Sequence, residues 1–313
     1  MSWRQLPDLP ATAFRLIGYL AGHRPMQVWE NKAYLFHGFL EIHVFDLVTE
    51  KWSTINTTMS QGKPWPVGKK GHNFRDFSTT LTPWDGKLYV FGGDDGATSL
   101  GCNLFLVLNL ATREWDHISG TSESIPLTRE PSLRVLASLW NVPEERKVYL
   151  MYGNVTRQAA SYEHRPGGAS MDHTCDDFWS FDPEKQVWER EKLRGSYPCV
   201  RTEMATAYCP SIGATVVYGG YNASIPTHDQ IGLPSKLPKD QPQMYSFSFF
   251  GDTFVYDSKT KIWKHVLIRG FPSYRGMSAF IPDTETGKIY FFGGGYYSHC
   301  KNIADDVSRL LEC

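Results

Sequence analysis

Several features are scarce in this sequence of 313 residues, and each scarcity excludes a class of protein. No apolar run approaches the roughly 18 residues of a membrane-spanning helix, so no membrane span is predicted. The first residues lack a basic start followed by an apolar core, which predicts no secretory signal peptide. The formal net charge is −1, with 32 basic and 33 acidic side chains, so the charge balance predicts no nucleic-acid or membrane partner.

Cysteine is also sparse. The six cysteines are scattered and form no Cys-x-x-Cys pair, so their spacing predicts neither a zinc cluster nor a disulfide framework. We expect free thiols in a reducing compartment, which predicts a cytoplasmic location with the nucleus as the alternative.

Aromatic residues and turn formers are abundant instead. Aromatic side chains make up 14% of the chain, which also has 27 glycines and 19 prolines. Flat aromatic side chains pack well across pleated sheets, and glycine and proline interrupt the chain at turns. The composition therefore favours many short strands over helices.

A hairpin pattern recurs four times along the chain. An apolar strand ends at Asp or Asn, a polar turn follows, and a Trp opens the next strand six residues later. The Asp or Asn residues are Asp46, Asn109, Asp182 and Asp257, and the Trp residues are Trp52, Trp115, Trp188 and Trp263. A constant offset around a turn predicts a constant hairpin geometry, with the Asp or Asn side chain bonding the turn backbone.

A second apolar strand precedes each hairpin and ends in glycine. The glycine pairs are Gly92-Gly93, Gly219-Gly220 and Gly293-Gly294, and two further copies read His37-Gly38 and Tyr152-Gly153. Paired glycines allow positive φ angles and a close approach of another backbone. Another strand lies before each of these, so each unit is predicted to have four antiparallel strands.

This ordered set of strand, Gly-Gly, Asp and Trp resembles the kelch repeat over the whole chain. The resemblance implies an all-β fold, a single kelch β-propeller over residues 1–313. We predict five blades of four antiparallel strands, with six blades as the alternative. The fifth blade is predicted to be shared between residues 1–6 and about 275–313, with Trp3 as the fifth Trp of the series.

Propeller topology places the long connections on one face, which we call the long-loop face. These connections join the second and third strands of a unit, or successive units, and cover residues 56–73, 119–131, 154–175 and 221–250. The turns on the other face are short. Long loops in a compact fold are usually functional, so we expect the binding surface on the long-loop face.

Two sets of side chains are candidates for binding at the channel mouth on this face. Arginines recur 17 or 18 residues before the glycine-pair position, and their guanidinium groups suit carboxylates and phosphates. They are Arg75, Arg134, Arg201 and Arg275, with Arg24 at the equivalent place in the first unit but at a shorter offset. Tyrosines and acids at or after the glycine pairs form the second set: Asp94, Asp95, Tyr152, Tyr221 and Tyr296. The competing interpretation is that the arginines brace neighbouring blades.

The sequence contains no recognisable catalytic motif and predicts no cofactor. A bound metal ion remains an alternative. The weak metal candidates are His173, Cys175 and His228, which lie on loops of one face. The favoured hypothesis is therefore a scaffold-like interaction module whose long-loop face binds a protein segment, predicted to be acidic. The alternative is an enzyme or small-molecule-binding accessory protein with an anionic-ligand or metal site at the channel mouth. The sequence predicts no oligomeric state.

Overall fold

The structure is a computed structural model of the whole chain, and its described part is all-β. The described residues are 4–8, 26–67, 74, 76–94, 102–121, 129–155, 173–222, 248–268, 274–283, 288–295 and 309–312. Within these ranges the chain forms strands and two short 3-10 turns, Ser60–Gly62 and Pro143–Glu145, and no α-helix. The same ranges contain no helix long and apolar enough to cross a membrane.

The first two sheets follow the predicted order of strands. The first sheet consists of β1 (Gln27–Trp29), β2 (Lys32–Phe36), β3 (Glu41–Asp46) and β4 (Lys51–Asn56). The second consists of β6 (Ser78–Thr82), β7 (Lys87–Phe91), β8 (Phe105–Asn109) and β9 (Glu114–Ser119), and β5 (Thr58–Met59) adds a parallel edge strand beside β9. This added strand covers the outer edge of the second sheet, which would otherwise expose unpaired backbone groups.

Three further sheets complete the described fold. The third contains β10 (Ser138–Val142), β11 (Lys147–Met151), β14 (Phe178–Asp182) and β15 (Val187–Arg190). The fourth contains β16 (Ala205–Cys209), β17 (Ala214–Tyr218), β20 (Thr253–Asp257) and β21 (Ile262–Val266). The fifth contains β22 (Gly276–Pro282), β23 (Lys288–Gly295) and β24 (Arg309–Glu312). Two small ribbons, β12 (Asn154–Val155) with β13 (His173–Thr174) and β18 (Tyr221–Asn222) with β19 (Ser248–Phe249), begin the long connections.

The repeated offset between Asp and Trp corresponds to one hairpin register. In the first sheet Phe45 lies opposite Trp52, and in the fourth sheet Tyr256 lies opposite Trp263. The Asp257 carboxylate accepts hydrogen bonds from the backbone N–H groups of Lys259 and Thr260 at 3.0 and 3.2 Å. The predicted turn geometry is therefore confirmed at these positions.

Each buried Trp of the repeat packs against an aromatic ring of the preceding sheet. The ring centroids of Trp115 and Phe36 lie 5.1 Å apart, those of Trp188 and Phe105 lie 4.8 Å apart, and those of Trp263 and Phe178 lie 5.7 Å apart. Such pairs join successive sheets through apolar contact and quadrupole attraction.

The chain divides into two compact units, and each has its own core. One unit comprises Met1–Tyr149 and Trp179–Glu189, and the other comprises Leu150–Phe178 and Arg190–Cys313. The core of the first unit is formed by the facing sides of the first two sheets, including Phe36, Val44, Leu88 and Leu106. A core of the second unit joins Val216 and Tyr218 of the fourth sheet to Phe280 and Phe291 of the fifth.

The described part of the N-terminal stub, residues 4–8, is not in a strand. The Arg4 guanidinium forms an ion pair with Glu50, and the carbonyl of Pro7 accepts a hydrogen bond from Trp52 Nε1 at 3.1 Å. Trp3 lies outside the described residues, and the described fifth sheet has three strands. A fourth strand supplied by residues 1–6 therefore stays a prediction, as does the count of five blades.

Candidate functional site

At two places the arginine position of the repeat is hydrogen-bonded to the glycine pair of the preceding sheet. Gly93 N–H donates to the carbonyl of Arg134 at 3.0 Å, and Gly220 N–H donates to the carbonyl of Arg275 at 2.9 Å. A Cβ atom at Gly219 would lie 2.4 Å from the Arg275 carbonyl oxygen. Position 219 therefore needs glycine, because the backbone of Arg275 passes too close for any side chain.

Three of the five candidate arginines are described, and their side chains are buried and bonded inside the protein. Arg134, Arg201 and Arg275 are 0%, 2% and 5% exposed. Arg201 Nη1 donates to the carbonyl of Gly219 at 3.2 Å, and Arg275 Nη1 donates to the carbonyl of Gly293 at 2.8 Å. These contacts favour the bracing role, while a binding role for these three residues stays a prediction. Arg24 and Arg75 lie outside the described residues.

Arg201 also forms an ion pair with Asp252, the residue before β20. Arg201 Nη2 lies 3.1 Å from Asp252 Oδ2, and Nη1 bonds the other carboxylate oxygen. The guanidinium carbon lies 3.7 Å from the centroid of the Phe250 ring, in cation–π contact. The Arg201 side chain is 2% exposed and that of Asp252 is 30% exposed, so the acid is the outer member of the pair.

The predicted tyrosines and acids are placed differently from one another. Tyr152 is 1% exposed, and its hydroxyl donates to the carbonyl of Pro198 at 2.6 Å. Burial raises the pKa of the Tyr152 hydroxyl well above its usual value. This burial favours a structural role for Tyr152 over the predicted binding role. Asp94 is partly buried, and Asp95 and Tyr296 lie outside the described residues.

Tyr221 lies in β18 and is only partly buried, so part of its side chain is accessible to a partner. Its ring stacks on Phe249 of β19 with centroids 5.6 Å apart, and its hydroxyl accepts a hydrogen bond from Asn154 Nδ2 at 3.4 Å. The ribbon of β18 and β19 thus carries an aromatic pair at the base of the connection that spans 221–250.

The predicted metal candidates are only partly described. The backbone of His173 pairs with Val155 in the ribbon of β12 and β13, and Cys175 is buried. His228 lies outside the described residues. Nothing described brings these three residues together, and their role as metal ligands stays a prediction.

A cluster that the sequence analysis missed lies on the first sheet. One ring nitrogen each of His37 and His43 and a carboxylate oxygen of Glu41 all lie within 4.8 Å of one another. Burial lowers the pKa of His43, and the charge of Glu41 acts in the opposite direction. The signal was present as the string "HGFLEIH", in which Glu41 and His43 are two residues apart and share one face of a strand.

An open groove of about 330 Å³ lies on the fourth sheet. It is lined by Phe249, Phe250, Gly251, Asp252, Thr253, His265, Val266, Leu267, Ile268 and Tyr274. The groove lies where β20 begins and β21 ends, which is the end of the sheet that carries the long connections. It therefore belongs to the long-loop face on which the sequence predicted the binding surface.

The lining of the groove is mainly apolar and partly exposed. Leu267 is 89% exposed and Tyr274 is 55% exposed, while Phe250 contacts the Arg201 guanidinium from inside. Among the lining residues that the structure describes, Asp252 carries the one carboxylate and His265 the one imidazole. The arrangement can accommodate an apolar or aromatic side chain beside an acidic group.

These features define a repeat protein of propeller type: repeated sheets of mostly four strands, glycine pairs that contact a neighbouring backbone, and Trp rings that pack on the preceding sheet. The family comparison matches residues 31–220, more than half of the chain, to the KLHDC2/KLHL20/DRC7 Kelch-repeats domain. The chain therefore belongs to this kelch family, and the predicted fold class, an all-β kelch β-propeller, is confirmed. Proteins of this family typically serve as protein-interaction modules.

Proposed function

We propose that this protein binds a segment of a partner protein through the long-loop face of its propeller. The observation that carries the proposal is the groove on the fourth sheet with Leu267 and Tyr274 exposed at its side. An exposed large apolar side chain beside a concave surface is typical of binding sites, because burying it in a complex releases bound water. Tyrosine adds an anchor with little conformational freedom to lose.

The floor of the groove is held in place by contacts within the protein, so the groove is already formed before a partner binds. Asp252 and Phe250 are fixed by the buried Arg201 guanidinium, and Thr253 and Val266 pair across β20 and β21. A partner would therefore lose little free energy to ordering the groove itself.

The chemistry of the groove favours an apolar or aromatic anchor in the partner segment. Its lining offers apolar surface and the outward carboxylate of Asp252. The finer prediction of an acidic segment depends on the arginines, of which three are bonded internally in the structure. We therefore keep the prediction of an acidic partner segment only for contacts with Arg24 and Arg75.

Crosslinking and capture test this function directly. A photoreactive amino acid placed at position 267 should crosslink a partner protein in extracts, and Leu267→Asp should abolish capture of that partner by the purified chain. The matched control is Val48→Asp, because Val48 is 73% exposed in the turn between β3 and β4. Equal loss with both variants, or unchanged capture by Leu267→Asp, would contradict the proposal.

The Leu267→Asp variant also tests the alternative of a small-molecule site, by thermal unfolding with anionic metabolites. A groove of about 330 Å³ is at the lower end of the volumes that hold small ligands. If an anionic metabolite raised the unfolding temperature of the wild-type chain but not of Leu267→Asp, the groove would be a ligand site instead of a protein site.

We also propose that the protein works in the cytoplasm. The four described cysteines, Cys102, Cys175, Cys199 and Cys209, form no disulfide with one another, which suits a reducing compartment. A fluorescent fusion seen mainly in the nucleus would favour the alternative location, and a fusion in a secretory compartment would contradict both.

A further inference from the structure

The hairpin of β2 and β3 brings two histidines and a glutamate onto one face of the first sheet. Phe36 lies opposite Ile42, and Leu35 lies opposite His43. Extending this antiparallel register by one residue places His37 opposite Glu41. Residues that lie opposite each other, or two apart on one strand, share a face, so all three side chains project the same way. Their potential ligand atoms lie within 4.8 Å of one another.

The two imidazoles are buried and lie face to face. His43 is 1% exposed and His37 is 8% exposed, and their ring centroids are 5.0 Å apart with planes at 29°. Glu41 is partly buried, so its carboxylate can reach both solvent and the rings. Two buried imidazoles and one carboxylate stand where a buried hairpin ordinarily has apolar side chains, and all three groups can bind a metal ion.

His43 is oriented by a second residue and has one unused nitrogen. Its Nδ1 lies 3.1 Å from Thr54 Oγ1 on β4. When Nδ1–H donates to that hydroxyl, Nε2 carries the lone pair. Nε2 is buried and has no hydrogen-bond partner among the residues that the structure describes. A buried ring nitrogen without a partner is costly, and the same orientation by an outer hydrogen bond is typical of metal-binding histidines.

We propose that His37, Glu41 and His43 bind a divalent cation of the zinc class. Two imidazole nitrogens with one carboxylate match the ligands that zinc takes in sites that keep one position open for water. Calcium and magnesium prefer oxygen ligands alone, so this set selects against them. Ligands of tetrahedral zinc lie about 3.3 Å apart, so the side chains must close from 4.8 Å, and the partly exposed Glu41 can supply that movement.

The position of His37 in the repeat supports this assignment. His37 stands where Gly92, Gly219 and Gly293 stand in other sheets, at the first place of the glycine pair. In the first sheet only residues 37–40 connect the second and third strands, whereas the other sheets have long connections there. The short connection is what brings residue 37 back to Glu41 and His43.

Metal titration of the purified full chain tests the proposal. After treatment with a chelator, the chain should bind one equivalent of Zn²⁺, and Co²⁺ should give the visible absorption of a tetrahedral site. Mg²⁺ and Ca²⁺ should not compete. Zn²⁺ should raise the unfolding temperature of the wild-type chain. Failure to bind Zn²⁺ stoichiometrically would overturn the proposal.

Variants locate the site and guard against misfolding. Glu41→Gln keeps the shape of a partly exposed side chain and should weaken Zn²⁺ binding at least tenfold. The matched control His117→Ala removes an exposed histidine of the second sheet and should leave binding unchanged. Because His43→Ala could unfold the sheet, His37→Asn serves as the second variant and should abolish the Co²⁺ spectrum. Zn²⁺ binding that survives both variants but is lost in His173→Ala would overturn the assignment to the first sheet.

Discussion

The first and fourth sheets are built from the same repeat but use its glycine-pair position differently. In the fourth sheet Gly219-Gly220 receives the Arg201 side chain and the Arg275 backbone. In the first sheet a histidine replaces the first glycine and faces Glu41 and His43. The second glycine is kept in both, with φ of +96° at Gly38 and +97° at Gly220.

This difference separates the structural requirement of the repeat from its freedom to vary. The second position needs positive φ and space for a neighbouring carbonyl, since a Cβ would lie 2.4 Å from Phe74 O at Gly38 and 2.6 Å from Thr202 O at Gly220. The first position accepts Tyr152 and His37 elsewhere in the chain. A side chain can therefore stand at the first position in those two sheets, although at Gly219 its Cβ would lie 2.4 Å from the Arg275 carbonyl oxygen.

The largest expected effect concerns the tryptophans of the two sheets. Trp263 is 1% exposed and packs on Phe178 and Tyr256, so Trp263→Ala should lower the free energy of unfolding by about 3–5 kcal/mol. Trp52 is only partly buried, so Trp52→Ala should cost about 1 kcal/mol. Chemical denaturation measures both. Equal losses would show that the first sheet depends on its Trp as strongly as the fourth.

The next effect concerns the ion pair between buried Arg201 and partly exposed Asp252 in the fourth sheet. Arg201→Ala should lower the free energy of unfolding by about 3 kcal/mol, because it leaves Asp252 and the Gly219 carbonyl without their partner. The matched control Arg194→Ala removes an exposed arginine and should change stability by less than about 0.5 kcal/mol. A fully stable Arg201→Ala variant that loses partner capture would instead support the predicted binding role of the arginines.

A smaller effect should appear at the second glycine. Gly220→Ala and Gly38→Ala should each cost more than about 2 kcal/mol, because both combine positive φ with a clash against a backbone carbonyl. Gly213→Ala is the control, since Gly213 has φ of +61° but no atom within 4 Å of the added Cβ, and it should cost about 1 kcal/mol. If Gly38→Ala behaved like the control, the requirement for the second glycine would not be shared by the two sheets.

The smallest effect concerns the turn aspartates and should depend on pH. Backbone and side-chain hydrogen bonds from Thr49 and backbone bonds from Val48 lower the pKa of Asp46, and those from Thr260 and Lys259 lower the pKa of Asp257. A carboxyl whose folded pKa is depressed stabilises the fold above its unfolded pKa, and that contribution is lost as pH falls through the folded pKa.

Asp46→Asn and Asp257→Asn should therefore change stability little at pH 7 and flatten its decline between about pH 4 and pH 2. Asn109 shows that an amide serves here, because its side chain accepts from Ala111 and Thr112 N–H at 2.9 and 3.3 Å. Unfolding transitions measured across this pH range decide the matter. An unchanged acid decline in both variants would mean that other carboxyl groups control it.

The sequence predicted the hairpins well because their determinants are local. Asp257, its turn and Trp263 lie within seven residues, and the hydrogen bonds that fix the turn join neighbours two or three positions apart. The functional sites were harder to predict from the sequence than the hairpins. The spacing of the arginines was visible, but whether they bind or brace depended on partners far along the chain. The cluster at His37 is encoded in the seven-residue string HGFLEIH, but only the short connection of the first sheet brings His37 back to Glu41 and His43.

By itself the sequence determined the repeat, its strands and turns, and the kelch family, because alternation, turn residues and glycine positions act over a few residues. Only the tertiary structure decided that Arg201 is buried against Asp252, 51 positions away, and that Leu267 and Tyr274 border one groove. Burial and groove shape depend on which distant segments meet in space. The spacing of residues along the chain does not reveal these long-range contacts. The sequence could therefore predict which face binds a partner but not which residues form the binding surface.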